Sequence, residues 1–492
     1  MRLERILIPS VLAAACATGG GTPAAAPAPS PITRAAFRHE IDSMVGQREF
    51  RDAHFGVLIV NPANGDTLYS LNAGKLFMPA SNMKVITGST ALVELGPDYT
   101  YRTDFAATGP IVHDTLQGAL VVTGRGDPTI SDHMRGTAMK PLLDIADSLH
   151  THGVVAITGG VVAGPDVFPD TTIGYGWSWE DFSEDYGAGI DALYLNEGFS
   201  KVFAYGRPGS QPDSIVTSPA RTYPLITIAP AVGGGTDTSE LHLDFDSLRT
   251  RFFARGRMTH AIDTLIAVYP SQRDAYIAAL REALSSRGIR LGTSRSYASS
   301  GAPAPTPLFT VHSPPLREIL PALLKPSQNQ IAELLFKTLG LEKTGVGSAD
   351  SGRVVLERQL IAFGAEPDGF LIRDGSGLSR YDYLSPETLV RVFNRIRSDS
   401  AFHVFYDALP IAGVDGTLRR RVIGTPAQGR IHAKTGSIAN ARSVSGYAIT
   451  ADSDTLIFSL LANNWITRAS SVDSVHNRIM VLMSSLNLRT LK

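Results

Sequence analysis

A serine and a lysine three residues apart, Ser81 and Lys84, lie where an apolar helix is predicted to begin, in "PASNMKVITGSTALVELG". On a helix these side chains share a face and are one turn apart. A serine hydroxyl becomes a nucleophile when a base lies within hydrogen-bond reach, and burial or nearby positive charge can make a lysine that base. Of the nine lysines, only Lys84 has a serine three positions earlier. The pair indicates acyl transfer; the alternative is a helix-start serine beside an exposed lysine.

A second short motif, S-x-N, accompanies S-x-x-K in serine-lysine acyl enzymes. It occurs three times, and Ser327 with Asn329 has the most favourable context. This copy lies between "LLKP" and "QIAELLFKTLG", at a predicted loop-to-helix junction that could project both side chains into a cleft. The other two copies lie in a predicted hairpin (Ser70 with Asn72) and at the end of the last helix (Ser485 with Asn487).

The third motif, K-T-G, occurs twice. Lys343 follows a predicted helix in a polar loop, whereas Lys434 lies in "GRIHAKTGSIANARSVSGY", whose alternation predicts a strand. A strand edge can pair with an extended peptide while Lys434 and Thr435 bind a carboxylate. Gly436 would let a ligand approach closely. We therefore select Lys434 and reject Lys343.

The three motifs, in this order, resemble those of the penicillin-binding protein and serine β-lactamase superfamily. Within it, the chain is most similar to the low-molecular-mass class C penicillin-binding proteins, the D-alanyl-D-alanine carboxypeptidase/endopeptidase group. Further marks are the long segment 85–326 between the first two motifs, "RDGSGLSRYDYLSP" after the second, and "LPIAGVDGTLRRR" before the third. The resemblance covers nearly the whole part of the chain that follows the N-terminal segment.

The resemblance implies a role for each motif residue. Ser81 would attack the carbonyl between two D-alanines, with Lys84 as the base. Ser327 would relay the proton to the departing D-alanine, and Asn329 would orient the substrate amide and Lys84. The backbone N–H groups of Ser81 and Ser437 would form the oxyanion hole. Water would then hydrolyse the acyl-enzyme.

The segment "GWSWEDFSEDYGAGIDALYLNEGFS" resembles a family loop that reaches back to the mouth of the active site. There an acidic residue and a tyrosine five positions later line a pocket for the free amine end of the peptide stem. Asp181 and Tyr186 have this spacing, and Arg380 is a further candidate for the cleft. An acidic surface loop is the alternative, and three other acidic residues compete for the role: Glu180, Glu184 and Asp185.

The predicted elements place these motifs on an α/β (α+β) fold. A hairpin at residues 54–73, a helix ending near Gly96, two strands within 443–465 and a closing helix within 470–487 predict a domain built from both ends of the chain. We expect an antiparallel sheet flanked by helices, with a large β-rich insertion that contains one clear helix at 271–288. The predicted segments are 1–34 (signal and linker), 35–100 with 302–492 (discontinuous peptidase domain), and 101–301 (insertion).

Composition excludes several classes of function. The formal net charge of −1 argues against nucleic acid, which requires clustered excess positive charge. Hydrophobic residues make up 43% and charged residues 18%, as in globular proteins. The 12 histidines show no H-E-x-x-H spacing, so we expect no metal and no cofactor.

The N-terminus indicates export. Arg2 and Arg5 precede "ILIPSVLAAACA", which is too short to span a bilayer and is followed by a Pro-, Ala- and Gly-rich linker. Cys16, the only cysteine, ends "LAAAC", which resembles a bacterial lipoprotein signal with alanine where leucine is usual. A plain secretory signal is the alternative. We expect a periplasmic protein whose membrane attachment, if any, is a lipid on Cys16.

The expected function is a serine-type D-Ala-D-Ala carboxypeptidase or DD-endopeptidase that acts on peptidoglycan stem peptides. β-Lactam antibiotics would acylate Ser81 and inhibit it covalently. A β-lactamase is the rival enzyme, although the dedicated glutamate that often serves deacylation has no obvious counterpart here. A non-catalytic lipoprotein that binds the cell wall is the alternative outside enzymology.

Overall fold

The structure is a computed structural model that describes residues 32–229, 239–246, 251–293 and 304–491. Cys16 and the predicted signal lie outside the described residues, so export and lipidation stay predictions. Across the described ranges, none of the helices combines the length and the apolar character that a bilayer crossing requires.

The helices occur singly and in short runs between groups of strands. Those in the described residues are α1 (Arg34–Val45), α2 (Met83–Leu95), α3 (Asp132–Arg135), α4 (Met139–Thr151), α5 (Gln272–Ser286), α6 (Leu316–Leu324), α7 (Asn329–Thr344), α8 (Ala349–Ala362), α9 (Pro386–Ile396), α10 (Phe402–Ala408) and α11 (Ala469–Ser484).

The strands fall into a central sheet and several small sheets. They are β1 (His54–Asn61), β2 (Asp66–Leu71), β3 (Arg102–Ala107), β4 (Ile111–Val112), β5 (Thr115–Leu116), β6 (Leu120–Thr123), β7 (Ala156–Ile157), β8 (Val161–Ala163), β9 (Phe199–Tyr205), β10 (Ser214–Ser218), β11 (Ile226–Ile228), β12 (His242–Phe245), β13 (Phe252–Arg255), β14 (Ile262–Val268), β15 (Arg290–Leu291), β16 (Thr306–His312), β17 (Phe370–Leu371), β18 (Tyr383–Leu384), β19 (Ile431–Ile438), β20 (Ala441–Ile449) and β21 (Thr455–Asn463).

The central sheet is antiparallel and joins the two ends of the described chain. Its order is β19-β20-β21-β1-β2, and β1 pairs with β21 from His54 opposite Asn463 onward. Alternate residues of β21 face opposite sides, as a strand requires. Phe458 and Leu460 pack with α1 and α11, whereas Ile457 and Leu461 pack with α2 and the α6–α9 helices. The predicted antiparallel sheet flanked by helices is therefore confirmed.

Helix α2 is the central helix of the domain. Its residues from Met83 to Leu92 are buried, because the helix packs against α6, α7 and α9. A helix that is enclosed on every side can be apolar all round, which explains the run after Lys84. It ends at Gly96, whose φ of 85° suits glycine at the end of a helix, as predicted.

The insertion is mixed rather than purely β. Its strands form four small sheets, in the orders β16-β3-β6-β8, β15-β7-β5-β4, β10-β9-β14 and β11-β13-β12. The predicted helix at 271–288 is α5. Helix α4 was not predicted, although Leu142, Ile145, Ala146 and Leu149 recur at helical spacing and are buried.

The pairing of strand β16 differs from what the predicted domain division implies. It pairs with β3 in antiparallel register, from Thr306 opposite Ala107 to His312 opposite Arg102. By sheet pairing β16 lies with the strands of the insertion, whereas the predicted division assigns residues from 302 onward to the peptidase domain; the division itself stays a prediction. A Pro-rich linker suggested the earlier boundary, but linker composition does not reveal which sheet the next strand will join.

Candidate active site

Ser81 lies on a tight turn that the central sheet holds from below. The turn is a single 3₁₀ helix, Ala80–Asn82, directly before α2. Ser443 of β20 donates a hydrogen bond to the Pro79 carbonyl (2.7 Å). Ala80 has a φ of 48°, a left-handed conformation that is strained for a residue with a side chain. The sheet therefore fixes the orientation of the serine next to it.

Lys84 reaches Ser81 from one turn further along. Its Nζ lies 3.0 Å from Ser81 Oγ, and it donates to Asn329 Oδ1 at 2.6 Å and to the Ser376 carbonyl at 2.7 Å. The side chain is 0% exposed. Both of those partners only accept hydrogen bonds, so a neutral amine would use its two N–H groups on them. Its lone pair is then left for the Ser81 hydroxyl.

Burial lowers the pKa of Lys84 to about 7, although three buried carboxylates nearby raise it. Glu333 is one of them, and it accepts backbone N–H bonds from Gly375 (3.0 Å) and Ser376 (2.7 Å). Burial in turn raises the pKa of Glu333. The other two carboxylates belong to Asp374 and Asp382. Lys84 is thus a buried amine that can exchange a proton near neutral pH.

Ser327 and Lys434 form a second pair opposite the first. Ser327 precedes α7 with a φ of 69°, and Lys434 Nζ donates to its Oγ at 2.7 Å and to the Thr435 carbonyl at 2.7 Å. Lys434 is also 0% exposed. Burial, and then the charge of Lys84, lower the pKa of Lys434 well below its usual value. Two buried lysines therefore converge on two serines.

Gly436 is required for the packing of the turn that carries Ser81. A Cβ at this position would lie 2.2 Å from Ser443 Oγ, 2.7 Å from the Pro79 carbonyl oxygen and 2.9 Å from Ser81 N. These atoms belong to the sheet and to the serine turn. The absence of a side chain lets the serine turn sit directly against β19, and the close approach of a ligand to Gly436 stays a prediction.

The cleft is a cavity of about 780 Å³ between β19, the start of α7 and the insertion. It unites most of the residues predicted from the sequence, while Lys84, Gly436 and Lys434 lie buried behind its wall. The predicted residues that line it are Ser81, Asp181, Tyr186, Ser327, Asn329, Arg380, Thr435 and Ser437. Residues separated by hundreds of positions in the chain thus share one small cavity.

The insertion contributes the outer wall of this cavity. Asp181 accepts hydrogen bonds from the Tyr186 hydroxyl (3.2 Å) and from Ser178 N (3.2 Å). Burial, and then the charge of Asp181, raise the pKa of Tyr186 to about 12. The loop is docked on α7, because Asn329 donates to the Tyr186 carbonyl at 3.0 Å. Among the described residues, the acidic side chains that line the cavity are Asp181 and Glu180.

The rejected motif copies lie elsewhere. Lys343 is in the last turn of α7 and forms an ion pair with Glu94 at 3.0 Å. Ser70 is in β2 and Ser485 caps the end of α11. None of these three is among the described residues that line the cavity. Chain order and local context therefore selected the motif copies whose residues meet at the cavity.

Several functional positions were not named from the sequence. Thr417 lines the cavity, and its hydroxyl accepts a hydrogen bond from Thr435 at 2.6 Å. Glu333 lies one turn after Asn329. Its charge inside the apolar run "QIAELLFK" could have indicated a functional residue. Asp374 is buried in "RDGSGLSRYD" and accepts a hydrogen bond from Trp177 Nε1 at 2.9 Å. In the sequence, that segment indicated only the family resemblance.

Comparison with known proteins decides the family. Residues 37–486 match the D-Ala-D-Ala carboxypeptidase 3 (S13) family. This chain belongs to that family. It is accordingly an enzyme, a serine-type D-Ala-D-Ala carboxypeptidase of the low-molecular-mass class C penicillin-binding proteins, and the resemblance found in the sequence is confirmed.

The similar proteins span nearly the whole chain. A D-alanyl-D-alanine carboxypeptidase of Actinomadura sp. (strain R39) is 30% identical over 462 residues, which is 90% of this chain and 84% of that protein. The crystal structure of penicillin binding protein 4 from Haemophilus influenzae has a TM-score of 0.75 and 22% identity, and covers 89% of this chain and 98% of that one. A second structure of the same protein, complexed with a β-lactam, has a TM-score of 0.72, 22% identity and the same coverage. These matches confirm the fold.

Proposed function

We propose that the S13 peptidase activity of this chain is exerted on peptidoglycan stem peptides through an acyl-enzyme on Ser81. One observation carries the proposal: a completely buried lysine with a pKa near 7 lies 3.0 Å from the hydroxyl of a serine in the cavity wall. Such a lysine can accept the proton of the hydroxyl at the moment of attack.

Acylation begins with Lys84 neutral. Its lone pair takes the proton of Ser81, and Oγ forms a bond to the carbonyl carbon of the penultimate D-alanine. The N–H groups of Ser81 and Ser437 would stabilise the resulting oxyanion, and one such donor contributes about 3 kcal/mol in other enzymes. Asn329 and the Ser376 carbonyl hold the amine in place during the transfer.

Collapse of the tetrahedral intermediate breaks the peptide bond. The leaving nitrogen takes a proton through Ser327, whose hydroxyl contacts Lys434 at 2.7 Å. The departing residue carries a carboxylate, which Lys434 and Thr435 would bind. A neutral Lys434 in the empty site would take up a proton when that carboxylate arrives, because an adjacent negative charge favours the ammonium form. Water then hydrolyses the ester on Ser81 and the enzyme returns to its starting state.

The outer wall of the cavity suits a cationic end of the substrate. Asp181 and Glu180 are the acidic groups there, and an ammonium on the stem peptide is their natural partner. Arg380 donates to the Ala439 carbonyl at 3.3 Å, next to the end of β19. Such a substrate is found outside the cytoplasm, consistent with the export pattern around Arg2, Arg5 and Cys16. A lipid on Cys16 would hold the enzyme at a membrane surface.

Mass spectrometry of purified muropeptides after incubation with the enzyme tests the proposal. We expect loss of terminal D-alanine, or cleavage of cross-links, with the wild type and not with Ser81→Ala. A fluorescent penicillin should label the wild type at Ser81 and leave the folded Ser81→Ala variant unlabelled. A folded wild type that neither labels nor alters muropeptides would refute the proposal and favour a non-catalytic wall-binding role.

Nitrocefin distinguishes the rival β-lactamase reaction. A penicillin-inhibited peptidase accumulates a covalent adduct and turns the drug over slowly. Hydrolysis many times per second without an adduct would show that deacylation of β-lactams is fast, and the peptidase proposal would then fail.

A further inference from the structure

A second cavity, also of about 780 Å³, adjoins the catalytic cavity at Thr417. We call it the distal cavity. Its walls are one face of α6 with Pro314 before it, the Lys325–Pro326 segment directly before Ser327, the 3₁₀ turn Gly416–Leu418 with the two arginines that follow it, and His133 and Met134 of α3. Because Thr417 accepts a hydrogen bond from Thr435, the two cavities meet at the hydroxyl proposed to bind the substrate carboxylate.

Two positively charged side chains that form no ion pair among the described residues line the distal cavity. Arg419 and Arg420 are exposed, and within the described ranges neither guanidinium has an ion-pair or side-chain hydrogen-bond partner. Lys325 is different, since it pairs with Asp415 at 2.6 Å and donates to the Leu409 carbonyl at 3.0 Å. That pair holds the loop against the end of α6. Glu318 adds one negative charge to the wall, so the two arginines leave it net positive.

The direction of the substrate follows from β19. This strand is an edge of the central sheet, so an extended peptide can pair along it. The acylated side of the substrate would lie toward Ala439 and Arg380, and the leaving side toward Thr435. Thr417, which accepts a hydrogen bond from Thr435, lies beyond it on the leaving side. A single departing D-alanine ends at Thr435 and has no atoms left to fill the distal cavity.

We propose that the distal cavity binds the leaving peptide of a cross-linked substrate, with Arg419 and Arg420 pairing with its carboxylates. The inference rests on the proposed function and assigns a binding site to the leaving side of a cross-linked substrate in the same reaction. The amide broken is again the one after the acylated D-alanine. Its nitrogen now belongs to a second, anionic stem peptide, which leaves with the proton and frees the ester on Ser81 for water. Arginine suits this role because its planar fork matches a carboxylate.

The test compares two substrates in one enzyme preparation. Values of kcat/KM are measured by liquid chromatography and mass spectrometry for a cross-linked muropeptide dimer and for a monomeric pentapeptide. We expect the double variant Arg419→Gln/Arg420→Gln to lower the ratio of dimer to monomer kcat/KM at least fivefold. A matched control, Arg395→Gln/Arg397→Gln, removes two exposed charges from the end of α9 and should leave the ratio within twofold.

Each other outcome has a defined meaning. A ratio within twofold of wild type in the Arg419/Arg420 variant, or an equal fall for both substrates, would overturn the inference. A wild type that releases D-alanine from the monomer but does not cleave the dimer would also overturn it, while the proposed function stands. Failure of the wild type on both substrates and with fluorescent penicillin would instead refute the proposed function. Penicillin labelling and the midpoint of thermal unfolding verify that each variant is folded.

Discussion

Protonation of Lys84 should switch off acylation of Ser81, and the structure defines the pH at which this occurs. The pKa of Lys84 falls from 10.5 to about 7 through burial. This difference corresponds to roughly 5 kcal/mol against the ammonium form, at about 1.36 kcal/mol per pKa unit. Near pH 7 about half of the amine is then neutral, against about one part in three thousand for an ordinary lysine.

The assay is the second-order rate constant for acylation by a fluorescent penicillin between pH 5 and pH 9. We expect a half-maximal rate near pH 7 and about a tenfold loss per pH unit below pH 6, as for a base with a single ionisation. The Lys84→Arg variant should stay unlabelled at every pH, because a guanidinium does not deprotonate in this range. A half-maximal rate above pH 9 would refute the assignment of Lys84 as the base.

A second variant tests the cause of the pKa. Burial raises the pKa of Glu333 to about 8, so this group ionises over the same pH range as Lys84. Its ionised form favours the charged form of Lys84, and Glu333→Gln should therefore move the acid limb of the pH–rate profile to lower pH. The amide oxygen can still accept the N–H groups of Gly375 and Ser376. Glu342→Gln is the matched control, since Glu342 lies on the same helix and contacts Tyr99 and Arg125 instead. A shift to higher pH in Glu333→Gln, or an equal shift in the control, would contradict the electrostatic argument.

Three further predictions concern stability and local packing. Between about pH 7 and 10.5 the unfolded chain binds more protons at Lys84 than the folded chain, so this residue makes the wild type more stable as pH rises. Urea denaturation should show that the free energy of unfolding of the wild type, relative to Lys84→Met, rises by about 2–3 kcal/mol from pH 7.5 to 9.5. If the free energies of the two proteins change in parallel with pH, Lys84 does not have a depressed pKa. Gly436→Ala should displace the serine turn, because its Cβ would meet Ser81 N at 2.9 Å, and reduce penicillin labelling by about a hundredfold; a normal rate would mean that the turn can move at little cost. Lys343→Ala should leave labelling within twofold and reduce the free energy of unfolding by at most about 1 kcal/mol, since it breaks only a partly exposed ion pair with Glu94; a large loss of labelling would implicate the rejected K-T-G copy.

Local patterns were sufficient to find the serines and lysines that meet at the cavity. Ser81 and Lys84 are separated by one turn, and Lys434 lies in an alternating strand, so short-range periodicity predicts where each side chain points. Chain order then separated Ser327 from Ser70 and Ser485. The hairpin and the last two strands were predictable from a different pattern, because their apolar runs of strand length are bounded by turn residues.

The remaining features depend on contacts between distant residues. Glu333 matters because it is buried near Lys84, and Lys84 is far from "QIAELLFK" in the sequence. The reason for glycine at position 436 is the Ser81 turn, which is more than 300 positions away in the chain. The pairing of β16 with β3 was missed because a short apolar run does not specify its partner strand, whereas helix α4 was missed although its helical periodicity is visible in the sequence. Thr417 is an exposed threonine in a loop, and only its contact with Thr435 distinguishes it from others.

The pairing of β1 with β21 constrains when this enzyme can become active. His54 and Asn463 are neighbours in the sheet, and Asn463 also accepts a hydrogen bond from Met78 N at 2.8 Å, just before the nucleophile turn. A nascent chain interrupted anywhere before β21 therefore lacks one of the two neighbours of β1 and the side chain that binds Met78 N just before Ser81. Assembly of the Ser81 turn must wait for β21 to emerge, and such long-range pairing is intrinsically slow. Acylation of Ser81 by penicillin would thus report that β21 has been synthesised and has paired with β1.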